Sequence, residues 1–158
     1  MQASRQLDPR GNARQLDGYL RAVSALKDDG TALSCSYLGP VAPQDALPAV
    51  CAALALSPEG LSLPPLHTVA CTGAACTPRQ WLLERLRPMA PADRQPLDPR
   101  LSDGFDSELF EIFDGAPHWH RLVQDGSRSL AAQLGAIWSV YVFGVAGHAY
   151  LLHCSWDS

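Results

Sequence analysis

The sequence predicts an α+β protein: an antiparallel sheet that includes a C-terminal hairpin, with about four helices packed mainly on one face. Three observations support this. An amphipathic helix lies near the start of the sequence, and two β-rich runs separated by a tight turn lie near its end. The composition, 47% hydrophobic and 18% charged, is typical of a folded domain with an apolar core. Because helices and strands alternate in places, an α/β arrangement is the alternative.

The first 56 residues predict a helix, a strand and a second helix. Residues 31–38 alternate between polar and apolar side chains, which indicates a half-buried strand. The second helix is expected from about Pro43 to Leu56, with Pro48 in its first turns. The first helix is expected between Asn12 and Asp28, where apolar side chains recur at helical spacing at Leu16, Tyr19, Leu20, Val23 and Leu26.

Prolines divide the middle of the chain. A short buried strand is expected at 66–71, and a helix start at Thr77 and Pro78, with Thr77 as the N-cap. That helix should end before Pro88. The stretch 87–100 holds four prolines, so we expect a connector there, inside one domain that spans residues 1–158.

The last third of the sequence predicts a helix around Phe105–Phe113, a strand from about His118, a short helical or turn segment at 127–134 and then the hairpin. The two hairpin strands flank Ala146 and Gly147, which are expected to form the turn. In the final strand, alternation places Cys154 on the core face. His153 falls on the opposite, mixed face, where we expect surface exposure.

Charge and cysteine content exclude several classes of function. The formal net charge is −4, which argues against general nucleic-acid binding, because that needs basic residues to replace phosphate counterions. No apolar run approaches a membrane-spanning length, and no secretion signal is recognised, so a cytoplasmic location is expected. The five cysteines suit free thiols, although Cys71 and Cys76 are close enough to form a disulfide or share a metal.

Two histidines, His118 and His120, are the candidate metal ligands. Residues two apart on a strand face the same side, so both imidazoles could reach one ion. A third ligand would have to come from His148, His153 or Cys154. This alternative is a metal-dependent hydrolase.

A nucleophilic catalytic site could consist of Cys154 as the nucleophile, His148 or His153 as the base, and Asp157 as the orienting carboxylate. However, His153 and Cys154 are adjacent on a strand and point to opposite faces, so the imidazole cannot easily activate the thiol. No nucleophile elbow and no phosphate-binding loop is present. The sequence therefore predicts no catalytic residues, no cofactor and no enzyme activity.

Acidic residues are concentrated between Asp98 and Asp114, around the helix expected at Phe105–Phe113, and the simplest interpretation is a solvated helix face. Clustered carboxylates beside aromatic side chains are typical of a surface that attracts and then holds a basic protein. The candidate partner-binding residues are Asp103, Asp106, Glu108, Glu111, Asp114 and Trp119.

The C-terminal third resembles small bacterial toxin-immunity proteins. The likeness lies in "ELFEIFDGAPHWHRL" followed by "IWSVYVFGVAGHAYLLHCSWDS", an apolar final strand that ends in Ser-x-Asp. The resemblance implies a cytoplasmic α+β protein that binds a basic toxin and blocks its active site. It identifies no binding residues. A structural or regulatory binding module with no connection to a toxin is the second alternative.

Overall fold

The computed structural model describes residues 8–66, 78–87, 95–113, 117–126 and 129–157. Its elements, in chain order, are α1 (Pro9–Lys27), β1 (Thr31–Gly39), a 3-10 turn (Pro43–Asp45), α2 (Leu47–Leu54), β2 (Leu61–Ser62), α3 (Pro78–Arg85), α4 (Arg100–Ile112), β3 (His118–Arg121), β4 (Val123–Gln124), α5 (Ala131–Leu134), β5 (Ile137–Val145) and β6 (His148–Trp156). Several expected features lie outside the described residues: 67–71 of the strand expected at 66–71, the Thr77 cap, the Cys71–Cys76 pair, 88–94 of the connector and Asp114.

The main sheet has four antiparallel strands in the order β1-β6-β5-β3, and β2 pairs with β4 in a separate two-stranded sheet. The predicted α+β class and the C-terminal hairpin are confirmed. The hairpin closes where Val145 pairs with His148. Its two turn residues, Ala146 and Gly147, have φ of 50° and 80°, the left-handed values that a tight two-residue hairpin turn requires.

Helix α1 starts at a side-chain cap and ends at a backbone hydrogen bond from the Asp28 N–H to the Ser24 carbonyl. Asp8 accepts a hydrogen bond from the Gly11 N–H at 2.8 Å. The buried row along the helix runs through Leu16, Leu20, Val23 and Lys27. Lys27 therefore takes the inward position in the last turn. Leu26, which the helical spacing places in the apolar stripe, is instead 61% exposed. A helix rotates about 100° per residue, which turns Leu26 to the side.

Both sides of the main sheet are covered. On one side, α1, α3 and α4 pack on Leu33, Tyr141, Phe143, Tyr150 and Leu152. On the other side, α2, α5 and the 3-10 turn pack on Val140, Val142, Ala149 and Leu151. The expectation that His153 lies at a surface is wrong: it shares the second face with buried Ala149 and Leu151 and is itself half-buried.

Both outer edges of the main sheet have backbone donors or acceptors that are already bonded. On β1, the Leu33 N–H donates to Ser24 Oγ and the Cys35 N–H donates to Asp17 Oδ1, each at 2.9 Å. On β3, the Leu66 N–H donates to the Trp119 carbonyl at 3.0 Å, next to a bridge between Pro65 and His120. Edge strands protected in this way are poor sites for the addition of another strand.

Candidate functional site

The exposed side of α4 carries the predicted acidic residues. We call this side the α4 outer face and define it as Asp103, Asp106, Ser107, Phe110 and Glu111, all of which are exposed. At about 100° per residue these five positions fall within less than half of the helix circumference. The opposite side of the helix buries Ser102, Phe105 and Leu109. The amphipathic pattern of α4 is therefore confirmed, and its charged side faces solvent.

Two of the predicted carboxylates have partners within the chain. Arg79 binds Asp103 through two nitrogens at 2.7 Å, in an ion pair that is about half exposed at both ends. Glu108 is partly buried and accepts a hydrogen bond from Gln15 Nε2 at 2.8 Å. These contacts join α4 to α3 and α1. Among the described residues, Asp106 and Glu111 form no ion pair, so they are the charges available to a partner.

Phe110 is 86% exposed in the middle of the α4 outer face. A phenylalanine buries a large apolar area when it is covered, and leaving it in water forgoes that stabilisation. The other aromatic side chain of α4, Phe105, is fully buried. Scattered exposed apolar residues are common, but one flanked by Asp106 and Glu111 combines an aromatic anchor with charge.

The position of α4 is fixed by close contact with α1. The Tyr19 hydroxyl donates to the Leu101 carbonyl at 2.6 Å, and its ring stacks with Phe105 at 6.2 Å between centroids. Gly104 has no side chain at the point where the Tyr19 ring crosses the helix. Burial raises the pKa of Tyr19, and the nearby carboxylates of Glu108 and Asp103 raise it further, which reflects the negative charge on this side of the molecule.

Trp119 does not belong to the α4 outer face. It lies on the edge strand β3, is partly buried, and stacks on Phe143 with 4.7 Å between ring centroids. The rings of Phe143 and Phe113 connect it to the end of α4. Part of its surface lines a cleft on the β3 side of the hairpin end.

The candidate metal ligands His118 and His120 do share one side of β3, as the sequence predicts. His118 is exposed and His120 is 6% exposed. His118 pairs with Gly144, and Gly144 pairs with Ala149, so these three residues share one face of the sheet. His148 is next to Ala149 on β6 and therefore points to the opposite face. In the part of the chain that the structure describes, no group of three or more His, Cys, Asp or Glu residues is arranged to hold a metal ion.

The structure does not bring together the nucleophilic site considered from the sequence, which consisted of Cys154, a histidine and Asp157. Cys154 is fully buried, and burial raises the pKa of its thiol, which keeps it protonated and unreactive. His153 lies on the other face of β6, where burial lowers its pKa. Asp157 Oδ1 instead accepts a hydrogen bond from the Ala136 N–H at 3.0 Å.

The cleft at the hairpin end was not predicted from the sequence. It has a volume of about 650 Å³ and is bounded by residues 42–44, Pro65, residues 118–120 and residues 144–148. The signals that could have indicated it are two proline-rich stretches, "GPVAP" and "LPPL", which cannot form regular elements and so pass across the end of the sheet.

Comparisons of the chain with protein-family models, with curated proteins and with solved structures give no match. Within the described residues, no helix combines the length and the apolar character needed to cross a membrane.

Proposed function

We propose that this protein is a non-catalytic binding protein whose α4 outer face docks on a basic partner protein. The observation that carries the proposal is the combination of Phe110, 86% exposed, with Asp106 and Glu111, which form no ion pair among the described residues. Exposed carboxylates accelerate encounter with a basic surface, and a covered aromatic ring then supplies much of the affinity.

The covered sheet edges favour recognition through a helix. Because Asp17 and Ser24 bond the outer N–H groups of β1, and residues 64–66 pair with β3, a partner strand finds few free backbone groups there. Helix α4 is instead an exposed, rigidly seated surface, held by Tyr19 and by the Arg79–Asp103 ion pair.

In its narrower form the proposal is that the partner is a bacterial toxin and that this chain is its immunity protein. This form rests on the resemblance of the C-terminal third to that family. An acidic, aromatic-centred face would cover the basic cleft of such a toxin and exclude its substrate. The protein itself needs no cofactor for this role, since binding alone is sufficient.

The partner can be captured with a photo-crosslinking amino acid at position 110 in cells of the native host. A matched variant carries the same amino acid at Gln133, which is exposed on α5. We expect position 110 to crosslink one strongly basic protein that Gln133 does not. An acidic partner, or equal crosslinking from both positions, contradicts the proposal. A captured toxin supports the narrower form, and a basic protein without toxicity refutes that form alone.

Association kinetics with the purified partner then test the role of charge. Asp106→Lys together with Glu111→Lys should slow association at low salt by at least about tenfold, and high salt should reduce the difference. The control is Asp125→Lys, which also reverses an exposed carboxylate but lies beyond β4. Unchanged association rates for the double variant would refute the assigned surface.

A further inference from the structure

A row of aromatic rings crosses the full width of the main sheet, from β3 to β1. Trp119 on β3 pairs with Phe143 on β5, and Phe143 pairs with Tyr150 on β6. Tyr150 pairs in turn with Tyr37 on β1. Directly paired residues point to the same side of a sheet, so all four rings lie on the face that packs against α1, α3 and α4. We call these four residues the aromatic row.

Each ring of the aromatic row contacts the next one. The ring centroids are 4.7 Å apart for Trp119 and Phe143, 5.0 Å for Phe143 and Tyr150, and 5.6 Å for Tyr150 and Tyr37. The two inner rings are buried, whereas Trp119 at one end and Tyr37 at the other are partly exposed. A continuous chain of π systems therefore joins two partly exposed side chains through the core.

The Tyr37 end of the row has a proton acceptor in place. The Tyr37 hydroxyl lies 2.9 Å from Nδ1 of His148, and the two rings are tilted against each other with 5.8 Å between centroids. With the hydroxyl assigned as the donor, the Nδ1 lone pair of the neutral imidazole accepts its hydrogen bond and can take up the proton. The Tyr19 hydroxyl differs, because it donates to the Leu101 carbonyl, which is not a base.

The charge next to Tyr37 makes this proton acceptor necessary for oxidation of the ring. The guanidinium of Arg10 lies 5.8 Å from the centroid of the Tyr37 ring, where it opposes a second positive charge on that ring. It does not oppose the loss of an electron together with the hydroxyl proton, because that leaves a neutral tyrosyl radical. The proton goes to His148, which is partly exposed, so water solvates the charge that the imidazole takes up.

A competing electron donor close to Tyr37 is poorly suited to this role. Cys35 is buried on the same face of β1, two residues before Tyr37. Burial raises the pKa of its thiol, which keeps the sulfur protonated. The thiolate is the form of cysteine that reacts with oxidants, so Cys35 does not compete with the neighbouring phenol.

We propose that the aromatic row conducts single-electron oxidation from Trp119 to Tyr37, where it ends as a neutral tyrosyl radical. A strong one-electron oxidant at the β3 edge takes one electron from the Trp119 indole and is itself reduced. Tyr37 supplies an electron to the indole through the row, and its hydroxyl proton moves to Nδ1 of His148. A small thiolate that reaches Tyr37 then returns the electron and becomes a thiyl radical, while His148 returns the proton.

The test is flash oxidation of the whole protein with a ruthenium(II) bipyridine complex bound to the exposed imidazole of His118, next to Trp119. The preparation used is the one in which fragment mass spectrometry finds the complex on His118 and on no other histidine. Hexaammineruthenium(III) is the quencher that generates the oxidant. We expect a tryptophan radical that is replaced by a tyrosyl radical, identified by optical absorption and electron paramagnetic resonance. A tryptophan radical that decays without a tyrosyl radical overturns the proposal.

Matched substitutions identify the two ends of the path. Trp119→Phe keeps a ring against Phe143 but removes the oxidisable indole, so the tyrosyl radical should not form, whereas Trp138→Phe on the opposite face should leave its yield unchanged. Tyr37→Phe should likewise abolish the tyrosyl signal, and Tyr19→Phe should not. A tyrosyl radical that persists in Tyr37→Phe, or in Trp119→Phe, contradicts the assignment of the row.

A third pair of variants tests the proton acceptor. Glutamine can accept a hydrogen bond from Tyr37 but is not a base, so His148→Gln should lower the tyrosyl yield by at least about tenfold, as expected when a positioned proton acceptor is lost. His153→Gln, on the opposite face of β6, should have the wild-type yield. Thermal unfolding checks that each variant is folded, and none of the substituted side chains is fully buried. A wild-type yield in His148→Gln overturns the proposal, and the α4 outer face is unaffected because it contains none of these residues.

Discussion

Helix α4 lies against α1 at Gly104, and replacing this glycine with alanine perturbs the contact that positions the proposed binding surface. A Cβ at Gly104 would fall inside van der Waals contact of the Tyr19 hydroxyl and 3.3 Å from Tyr19 Cζ. The hydroxyl cannot move away without losing its 2.6 Å hydrogen bond to the Leu101 carbonyl. Removing the hydroxyl with Tyr19→Phe relieves most of the clash.

The magnitude follows from three contributions. Alanine in place of glycine in a helix interior stabilises by about 1 kcal/mol. Against that, the displaced Tyr19 hydroxyl loses a hydrogen bond of about 1 kcal/mol, and the crowded contact costs about 1–2 kcal/mol. Gly104→Ala should therefore destabilise the wild-type protein by about 1–2 kcal/mol. In the Tyr19→Phe background it should stabilise by about 0.5–1 kcal/mol.

The assay is a double-mutant cycle measured by urea unfolding of the four proteins. We expect the effect of Gly104→Ala on the free energy of unfolding to change sign between the two backgrounds, with a coupling of about 2 kcal/mol. Additive effects, or a Gly104→Ala variant that is more stable than wild type while Tyr19 is present, would show that α4 is not seated on α1 as described.

Substitutions at three further positions, Lys27, Gly144 and His153, test the packing, with Gly18→Ala as the comparison for Gly144. Lys27→Met leaves Asp29 buried without its ammonium partner, 3.3 Å away, and removes a donor from the Arg87 carbonyl, so urea unfolding should show a loss of about 3 kcal/mol. Gly144→Ala should cost about 1–3 kcal/mol because its Cβ meets Pro43 at 2.6 Å, whereas Gly18→Ala, with nothing within 4 Å, should stabilise α1. Burial lowers the pKa of His153 in the folded state. The unfolded chain therefore binds its proton first, and unfolding free energy should fall as the pH drops below about 6.5, less steeply in His153→Gln.

Each of these expectations has a clear contrary result. A Lys27→Met variant as stable as wild type would show that the ion pair is not buried. Equal effects of alanine at Gly144 and Gly18 would contradict the close packing of Pro43 on the hairpin. Wild type and His153→Gln with the same pH dependence of unfolding would mean that His153 is solvated in the folded protein.

Local pattern was sufficient to predict the elements that depend on nearby residues. The stripe through Leu16, Leu20 and Val23 predicts α1, and the turn at Ala146 and Gly147 predicts the hairpin. Both depend on contacts or backbone geometry within a few residues. The α+β class follows from these two elements together.

The features that could not be predicted from the sequence depend on contacts between residues far apart in the chain. Nothing near Glu108 indicates that Gln15 will bond it, or that Arg79 will pair with Asp103. The error on His153 has the same origin, because α5 covers a strand face whose polar residues suggested exposure. The uninterrupted apolar run at 140–145, "VYVFGV", was the available warning, since a strand apolar on both faces must be covered on both sides.

The most direct test of the proposed function is the affinity of Phe110→Ala for the basic partner. Because Phe110 is 86% exposed in the free protein, its removal should leave the unfolding midpoint unchanged. As the anchor of the complex, its loss should raise the dissociation constant by about 30-fold or more. A dissociation constant within twofold of wild type would contradict the claim that this helix face binds the partner.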